Sequence, residues 1–148
     1  MADDTEAYVA ITRLQASYAD VVTRRAWSEL EPLFEPEARV HIAPAGRDPI
    51  DVIGPKALGE FIAAAVDRFE FFQFVPLNTV VELGADGTAI GRLYLLEVRQ
   101  ARETHEWSEA FGLYEDGYAQ RDGQWRFAAR NYRSLARRTG DEPASVFT

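Results

Sequence analysis

The chain has 148 residues, of which 47% are hydrophobic and 27% charged, as expected for one globular domain. It contains no cysteine, which excludes disulfides and thiolate chemistry. The formal net charge of −8 argues against nucleic-acid binding through phosphate neutralisation. The acidic N-terminus lacks the apolar core of a signal peptide, and no stretch approaches the roughly 20 apolar residues of a membrane span. We therefore expect a cytoplasmic protein that binds neither nucleic acid nor membrane.

The first third of the chain has helical periodicity. An apolar stripe predicts a helix over residues 4–25. A shorter amphipathic helix follows from Trp27, with Ser28 as its cap and Pro36 at its end. The alternating segment ARVHI at 38–42 predicts a strand.

A Pro- and Gly-rich segment, residues 43–55, predicts a loop, and residues 56–69 predict a third helix. The period then changes from 3.6 to 2, which indicates strands. Four β runs follow, at about 70–83, 88–101, 105–120 and 124–134. Asp-Gly pairs separate the first two runs and the last two, as in tight hairpins.

Helices followed by a meander of long strands predict an α+β fold, in which the helices cover one face of an antiparallel sheet and enclose a cavity with it if the sheet curls. We interpret residues 1–148 as a single domain. The basic run RSLARR at 133–138 begins a segment, 133–148, that we interpret as a solvated C-terminal tail. Only Lys56 of the sixteen basic residues is lysine, which argues against Schiff-base catalysis.

Several stretches, taken in order, carry a family resemblance. They are ITRLQASYAD (11–20), WSELEPLFEPEARV (27–40), GPKALGEFI (54–62), LNTVVELGADGTAIGRLY (77–94) and GLYEDGYAQRDGQWRFAARNY (112–132). With these stretches the chain resembles the SnoaL-like group of the nuclear transport factor 2-like superfamily. The resemblance implies a cone-shaped α+β barrel with an apolar pocket, and often a homodimer. Relatives include polyketide cyclases, scytalone dehydratase, a dehydrochlorinase and ketosteroid isomerase, besides members with no enzymatic role, so the fold implies a pocket rather than a reaction.

The resemblance also implies catalytic positions, and this sequence departs from them. Dehydratase-like members carry an aspartate near the end of the first helix and a histidine on the first long strand. Here the aspartate position holds Thr23, and counting back from Asn78 places Phe74 or Gln73 at the histidine position. The base of ketosteroid isomerase would fall near Ile42, which is apolar. The expected acid–base dyad is therefore missing.

Few other groups are available for acid–base chemistry. Tyr18 lies in the apolar stripe of the first helix, whereas Asp20 falls on its solvent side. His41 points away from the predicted pocket, and His105 lies either on the surface or at the pocket mouth. The two histidines are isolated from each other in sequence, which argues against a histidine-based metal site.

Glu97 and Arg99 are the most informative charged residues. They share a strand face with Leu93 and Leu95, so they enter the pocket if that face lines it. Burial would then raise the pKa of the carboxyl, and the arginine would oppose that shift. The alternative is an exposed ion pair, and the sequence does not decide which face points inward.

Two hypotheses remain open. In the first, the protein binds a hydrophobic small molecule, such as a steroid or polyketide, and catalyses cofactor-free dehydration, isomerisation or cyclisation as a lyase or isomerase. The candidate acid–base residues are Glu97, Tyr18 and His105, and the candidate ligand-binding residues are Thr23, Trp27, Phe74, Asn78, Arg99 and Tyr114. In the second, the protein is a non-catalytic ligand-binding or dimerisation scaffold that lost the dyad. No metal or cofactor is implied by either hypothesis.

Overall fold

A computed structural model describes residues 4–147. The first helix, α1 (Asp4–Arg24), forms as predicted, because its apolar side chains recur on one face. That face is buried and includes Ile11, Tyr18 and Val22. The helix stops where Arg25 takes a left-handed backbone conformation with φ of 59°.

The second helical segment is a 3-10 helix, Trp27–Leu33. Its N-cap is Ala26, which makes no side-chain capping bond, so the prediction that Ser28 caps this helix is wrong. It also ends before Pro36, because strand β1 (Phe34–Ala43) begins immediately after Leu33 and includes that proline. The predicted strand over 38–42 is confirmed as the last part of β1.

The predicted loop over 43–55 contains a short strand that the sequence did not indicate. Strand β2 (Ile50–Ile53) pairs antiparallel with β1. Helix α2 (Pro55–Val66) starts with proline in its first turn, where the missing N–H costs no hydrogen bond. It ends three residues earlier than predicted, so Phe69 begins the next strand instead of closing the helical stripe.

Four long strands make up most of the sheet, close to the predicted runs. They are β3 (Phe69–Leu83), β4 (Thr88–Ala101), β5 (Trp107–Arg121) and β6 (Gln124–Thr139). At both Asp-Gly turns, Asp86-Gly87 and Asp122-Gly123, both residues have positive φ, which confirms the predicted hairpins. A two-residue strand, β7 (Ser145–Val146), pairs with β6.

The sheet is curved and unclosed, with strand order β2-β1-β6-β5-β4-β3. Helix α1 packs against β3 and β6, and the core lies between this helix and the sheet. This arrangement confirms the predicted α+β cone. Among residues 4–147, no helix is both long enough and apolar enough to cross a bilayer.

Strand β6 carries two β-bulges, at Ala128 and Leu135, where its register against β5 shifts by one residue. Each bulge reverses which residues point inward beyond it. The strand also continues through 133–139, so the basic run that we interpreted as a solvated tail is mostly part of the sheet. This correction matters because it places Arg137 on the inner face of the sheet.

Candidate functional site

The inner face of the sheet and the two α-helices enclose a cavity of about 170 Å³. Its apolar wall consists of side chains from α2 and β3, including Leu58, Phe61, Ile62, Phe69, Phe72 and Phe74. Its polar wall consists of Tyr18, Tyr114, Tyr132, Glu97 and four arginines, Arg47, Arg68, Arg99 and Arg137. Arg47 and Arg68 are exposed, so the cavity opens to solvent on their side.

Strand β4 brings Glu97 and Arg99 to this cavity, which settles the face that the sequence left open. Leu93 and Leu95 are each 1% exposed on the same face of the strand. The Arg99 Nη1 atom lies 3.4 Å from Glu97 Oε1, and the side chains are 10% and 23% exposed, respectively. The pair is therefore not an exposed surface ion pair. The remaining exposure of Glu97 is to the cavity that it lines.

Burial makes the ionised form of Glu97 less favourable than that of an exposed carboxyl. Burial raises the pKa of its carboxyl above the usual 4.5, and the positive charges of Arg99 and Arg137 only partly oppose that shift. Burial also lowers the pKa of Arg99 from its usual value, which Glu97 opposes. A carboxyl with a raised pKa can accept or donate a proton closer to neutral pH than an exposed one.

Arg137 reaches the cavity across β5. In the sheet register, Glu97 on β4 is opposite Ala110 on β5, and Ala110 is opposite Arg137 on β6. All three residues line the cavity. The short side chain of Ala110 leaves space between the carboxylate and the guanidinium, and these two groups interact electrostatically.

Three tyrosines form a ring cluster at the base of the cavity. The Tyr18 and Tyr114 hydroxyls are 3.2 Å apart and share a hydrogen bond, and the Tyr114 and Tyr132 ring centroids are 5.2 Å apart. Burial raises the pKa of Tyr18, raises that of Tyr114 well above its usual value and raises that of Tyr132 to about 12. These phenols therefore stay protonated near neutral pH and act as hydrogen-bond donors rather than bases.

A buried ion pair supports the tyrosine cluster from behind. Arg130 donates from Nε to Asp116 Oδ1 at 2.7 Å and from Nη2 to Oδ2 at 3.0 Å, and neither side chain is exposed. The Arg130 guanidinium carbon lies 3.6 Å from the centroid of the Tyr114 ring. This cation–π contact and the bidentate pairing hold Tyr114 in place.

The network continues to α1. The Tyr118 hydroxyl donates to Asp116 Oδ2 at 2.8 Å and accepts from Gln15 Nε2 at 2.7 Å. Gln15 Nε2 also donates to Thr79 Oγ1 at 2.9 Å. Gln15 is a polar residue on the otherwise apolar buried face of α1, and this network explains its burial.

Five of the predicted site residues meet at the cavity, and four lie elsewhere. Those that line it are Tyr18, Phe74, Glu97, Arg99 and Tyr114. His105 is 70% exposed and pairs with Glu70 at 3.0 Å, so it is on the surface rather than at the pocket mouth. Asn78 is also exposed. Trp27 lines a separate groove of about 670 Å³ between the 3-10 helix and α2, in which few charged groups converge.

Thr23 lies behind the cavity wall, beside Phe74. Its Oγ1 atom accepts a hydrogen bond from the Phe74 backbone N–H at 3.0 Å. The position of the family aspartate, Thr23, is therefore adjacent to Phe74, one of the two positions that the resemblance allows for the histidine. The Phe74 ring packs edge-on against Tyr18, with centroids 5.4 Å apart.

The structure also settles the position of other polar residues considered in the sequence. Asp20 is exposed and pairs with Arg24 at 2.9 Å, as predicted. His41 pairs with Asp51 at 2.8 Å and does not line the cavity, also as predicted. Within residues 4–147, no cluster of three or more acidic or histidine side chains is placed to hold a metal ion.

Fold and cavity together define a class of protein, in which a curved sheet wraps a helix and encloses a small chamber open at one side. Comparison with protein-family models matches residues 3–131 to the SnoaL-like domain. The chain belongs to the SnoaL-like family, as the sequence resemblance predicted. No curated protein sequence matches the chain significantly.

Several solved structures share this fold at low sequence identity. A candidate scytalone dehydratase from Novosphingobium aromaticivorans has a TM-score of 0.79 at 21% identity, with 97% of this chain and 92% of that one covered. Hexachlorocyclohexane dehydrochlorinase LinA-type3 from Novosphingobium barchaimii has a TM-score of 0.80 at 19% identity, with 97% of each chain covered. The Kfla4162 protein from Kribbella flavida has a TM-score of 0.80 at 13% identity, covering 92% and 95%. At these identities the likeness shows the fold alone.

Proposed function

We propose that the protein binds a hydrophobic small molecule in the cavity and catalyses a cofactor-free proton transfer, with Glu97 as the general base and acid. The observation that carries the proposal is the position of this carboxyl in a largely apolar cavity, where burial raises its pKa. Dehydration next to a carbonyl group, dehydrohalogenation and ketone isomerisation through an enolate each include removal of a proton from carbon. The names of two structural neighbours, a dehydratase and a dehydrochlorinase, are compatible with that reaction class.

In the proposed reaction, Glu97 takes a proton from a carbon next to a carbonyl group of the substrate. The Tyr114 hydroxyl, oriented by Tyr18, donates a hydrogen bond to the carbonyl oxygen on which negative charge develops. The proton on Glu97 then returns to another carbon, which completes an isomerisation, or passes to a leaving hydroxyl, which completes a dehydration. Arg99 holds the carboxylate by its ion pair.

The test is turnover of cyclic ketones and hydroxyketones by the wild type and by Glu97→Gln. We expect the substitution to lower kcat by a factor of at least about 100 while substrate binding persists, because it removes the proton acceptor. Glu109→Gln is the matched control. Glu109 also pairs with an arginine at 3.4 Å, Arg138, but does not line the cavity. Equal turnover by the wild type and Glu97→Gln would overturn the catalytic role of Glu97.

The second candidate function is a non-catalytic ligand-binding scaffold. It is favoured by the absence of the dyad that the resemblance implies, since Thr23 stands at the aspartate position and Phe74 or Gln73 at the histidine position. Ligand binding without turnover by the wild type, and unchanged in Glu97→Gln, would select this function.

We also propose that the protein forms a homodimer through the outer face of the sheet. Val80 and Ile90, on neighbouring strands of that face, are 38% and 60% exposed. Light scattering coupled to size-exclusion chromatography should give the mass of two chains, and substitution of both residues by aspartate should give the mass of one.

A further inference from the structure

The charge of the cavity is opposite to that of the protein. The chain has a formal net charge of −8. Yet four arginines line the cavity, and Glu97 is the one carboxylate among its described lining residues. Because arginine stays protonated in proteins, the cavity keeps a net positive charge whether Glu97 is ionised or neutral. A cavity that served only to enclose an apolar molecule would not need this excess.

Three of these arginines form no direct ion pair with a described residue, although Arg137 interacts electrostatically with Glu97. Arg99 pairs with Glu97, but no ion pair is found for Arg47, Arg68 or Arg137 with any residue in the 4–147 range. The Nε atom of Arg137 is also buried without a hydrogen-bond acceptor. Arg137 also lines the cavity and has no ion-pair partner among the described residues, so its guanidinium charge is available there to an anionic ligand.

Contacts with other protein groups hold Arg68 and Arg99 in place and leave N–H donors of both available. The guanidinium carbons of Arg68 and Arg99 lie 4.6 Å and 5.0 Å from the centroid of the Phe69 ring. Arg99 Nε donates to Ser108 Oγ at 3.0 Å. A guanidinium stacked on a ring keeps the N–H groups at its edge available, and their fork geometry suits a carboxylate.

We propose that the ligand of this cavity is an organic carboxylate with an apolar body, and that Arg137 binds its carboxylate group with help from Arg68 and Arg47 at the mouth. The body of the ligand packs against the phenylalanines of β3 and α2. Arg99 stays with Glu97, so the ligand charge and the proton-transfer group are held by different arginines. This inference rests on the proposed function only in assuming that the cavity takes a ligand.

The experiment compares acids with amides of the same shape. Calorimetric titration of the wild type with trans-cinnamate and 2-naphthoate, and with trans-cinnamamide and 2-naphthamide, isolates the contribution of the negative charge. We expect each acid to bind at least about 10-fold more tightly than its amide, because charge-assisted hydrogen bonds to a partly buried arginine contribute strongly. Equal binding of acid and amide, or no binding of either acid at millimolar concentration, would show that the inference is wrong.

Variants assign the preference to particular arginines. Arg137→Gln should lower acid affinity about 10-fold and leave amide affinity within a factor of about two. Arg133→Gln is the matched control, because Arg133 is exposed on the same strand and does not line the cavity. If Arg137→Gln does not fold, the double variant Arg47→Gln/Arg68→Gln at the exposed mouth should reduce the same preference. Equal losses for acid and amide would contradict the assignment.

Glu97→Gln separates this inference from the proposed function. It should bind the acids at least as tightly as the wild type does, since it removes a negative charge from the cavity. Acid preference with undiminished turnover in this variant overturns the catalytic proposal alone. Loss of turnover without acid preference in the wild type overturns the anion inference alone.

Discussion

Ionisation of the Glu97 carboxyl destabilises the folded protein relative to the unfolded chain. Its burial in the cavity wall raises its pKa, so the folded protein holds this proton at pH values at which the unfolded chain has released it. Glu29 is the opposite case. Hydrogen bonds from Arg24 lower the pKa of its carboxyl, so its ionisation stabilises the fold.

The two residues should therefore give opposite pH dependences of stability. Unfolding releases a proton from Glu97, so its contribution to the free energy of unfolding falls as pH rises from 4.5 through the folded pKa. Relative to the wild type, Glu97→Gln should gain stability over that range. Glu29→Gln should lose stability, relative to the wild type, as pH rises toward and through 4.5. Melting temperatures measured from about pH 2.5 to pH 8 check both signs, and parallel curves for the two variants would contradict them.

At the residue scale, the sequence identified part of the cavity by strand alternation and part by family resemblance. The shared face of Leu93, Leu95 and Glu97 was visible in the spacing, and Tyr114 was visible from the family pattern. His105 and Asn78 could not be placed, because both depend on where a strand begins or twists. Arg137 was missed because its basic neighbours suggested a tail.

Strand β6 is the element on which the cavity depends most. It supplies Arg130, Tyr132 and Arg137, and the bulges at Ala128 and Leu135 decide which of its side chains point inward. The neighbouring strand β5 leaves room for one of these side chains. A Cβ atom added at Gly112 on β5 would lie 2.5 Å from Tyr132 Cε2, so the glycine makes room for that ring.

Substitution of Gly112 should therefore displace the Tyr132 side chain in the cavity wall. We expect Gly112→Ala to displace the Tyr132 ring and to lower the free energy of unfolding by about 1–3 kcal/mol through overpacking. Gly117→Ala on the same strand is the matched control, because its added Cβ would meet no atom closer than 3.9 Å. Urea denaturation measures both variants. A Gly112→Ala protein as stable as Gly117→Ala would show that displacement of the Tyr132 ring does not lower the free energy of unfolding.

At the element scale, the sequence predicted the helices and turns that depend on residues close together in the chain. The helical stripe of α1 and the two Asp-Gly turns were sufficient to place the first helix and both hairpins. Strand β2 was missed because it has only four residues, which lie in a proline-rich segment and carry little periodic signal. The bulges of β6 were also invisible, since their positions are set by pairing with β5.

Across the whole molecule, one buried network connects the elements that form the cone. It runs from Gln15 on α1 and Thr79 on β3 through Tyr118 and Asp116 on β5 to Arg130 on β6. Because each bond joins groups removed from water, loss of one member leaves its partners buried and unpaired. The network should therefore stabilise the molecule as a single cooperative unit. The α+β class was predictable from element order, whereas this connection joins residues up to 103 positions apart and was not.

Removal of the Asp116 carboxylate tests that cooperativity. We expect Asp116→Ala to lower the free energy of unfolding by about 3–5 kcal/mol, because it leaves the Arg130 charge buried without a partner. The double variant Asp116→Leu/Arg130→Met should recover part of that loss. Unfolding followed by tryptophan fluorescence and by far-ultraviolet circular dichroism should give coincident transitions in all three proteins. Separate transitions in Asp116→Ala would indicate that the network stabilises only one part of the cone.

The bulge at Leu135 has a consequence for how ligand preference changes among related proteins. Between Ser134 and Arg137 one backbone residue stays unpaired, which keeps Arg137 opposite Ala110 and facing the chamber. If Leu135 instead paired regularly with β5, Arg137 would point to the outer surface although the sequence kept the same arginine. A relative with such pairing could thus have a less positive chamber without replacement of any residue that lines this one. The pairing of this strand is therefore as informative about ligand charge as its sequence is.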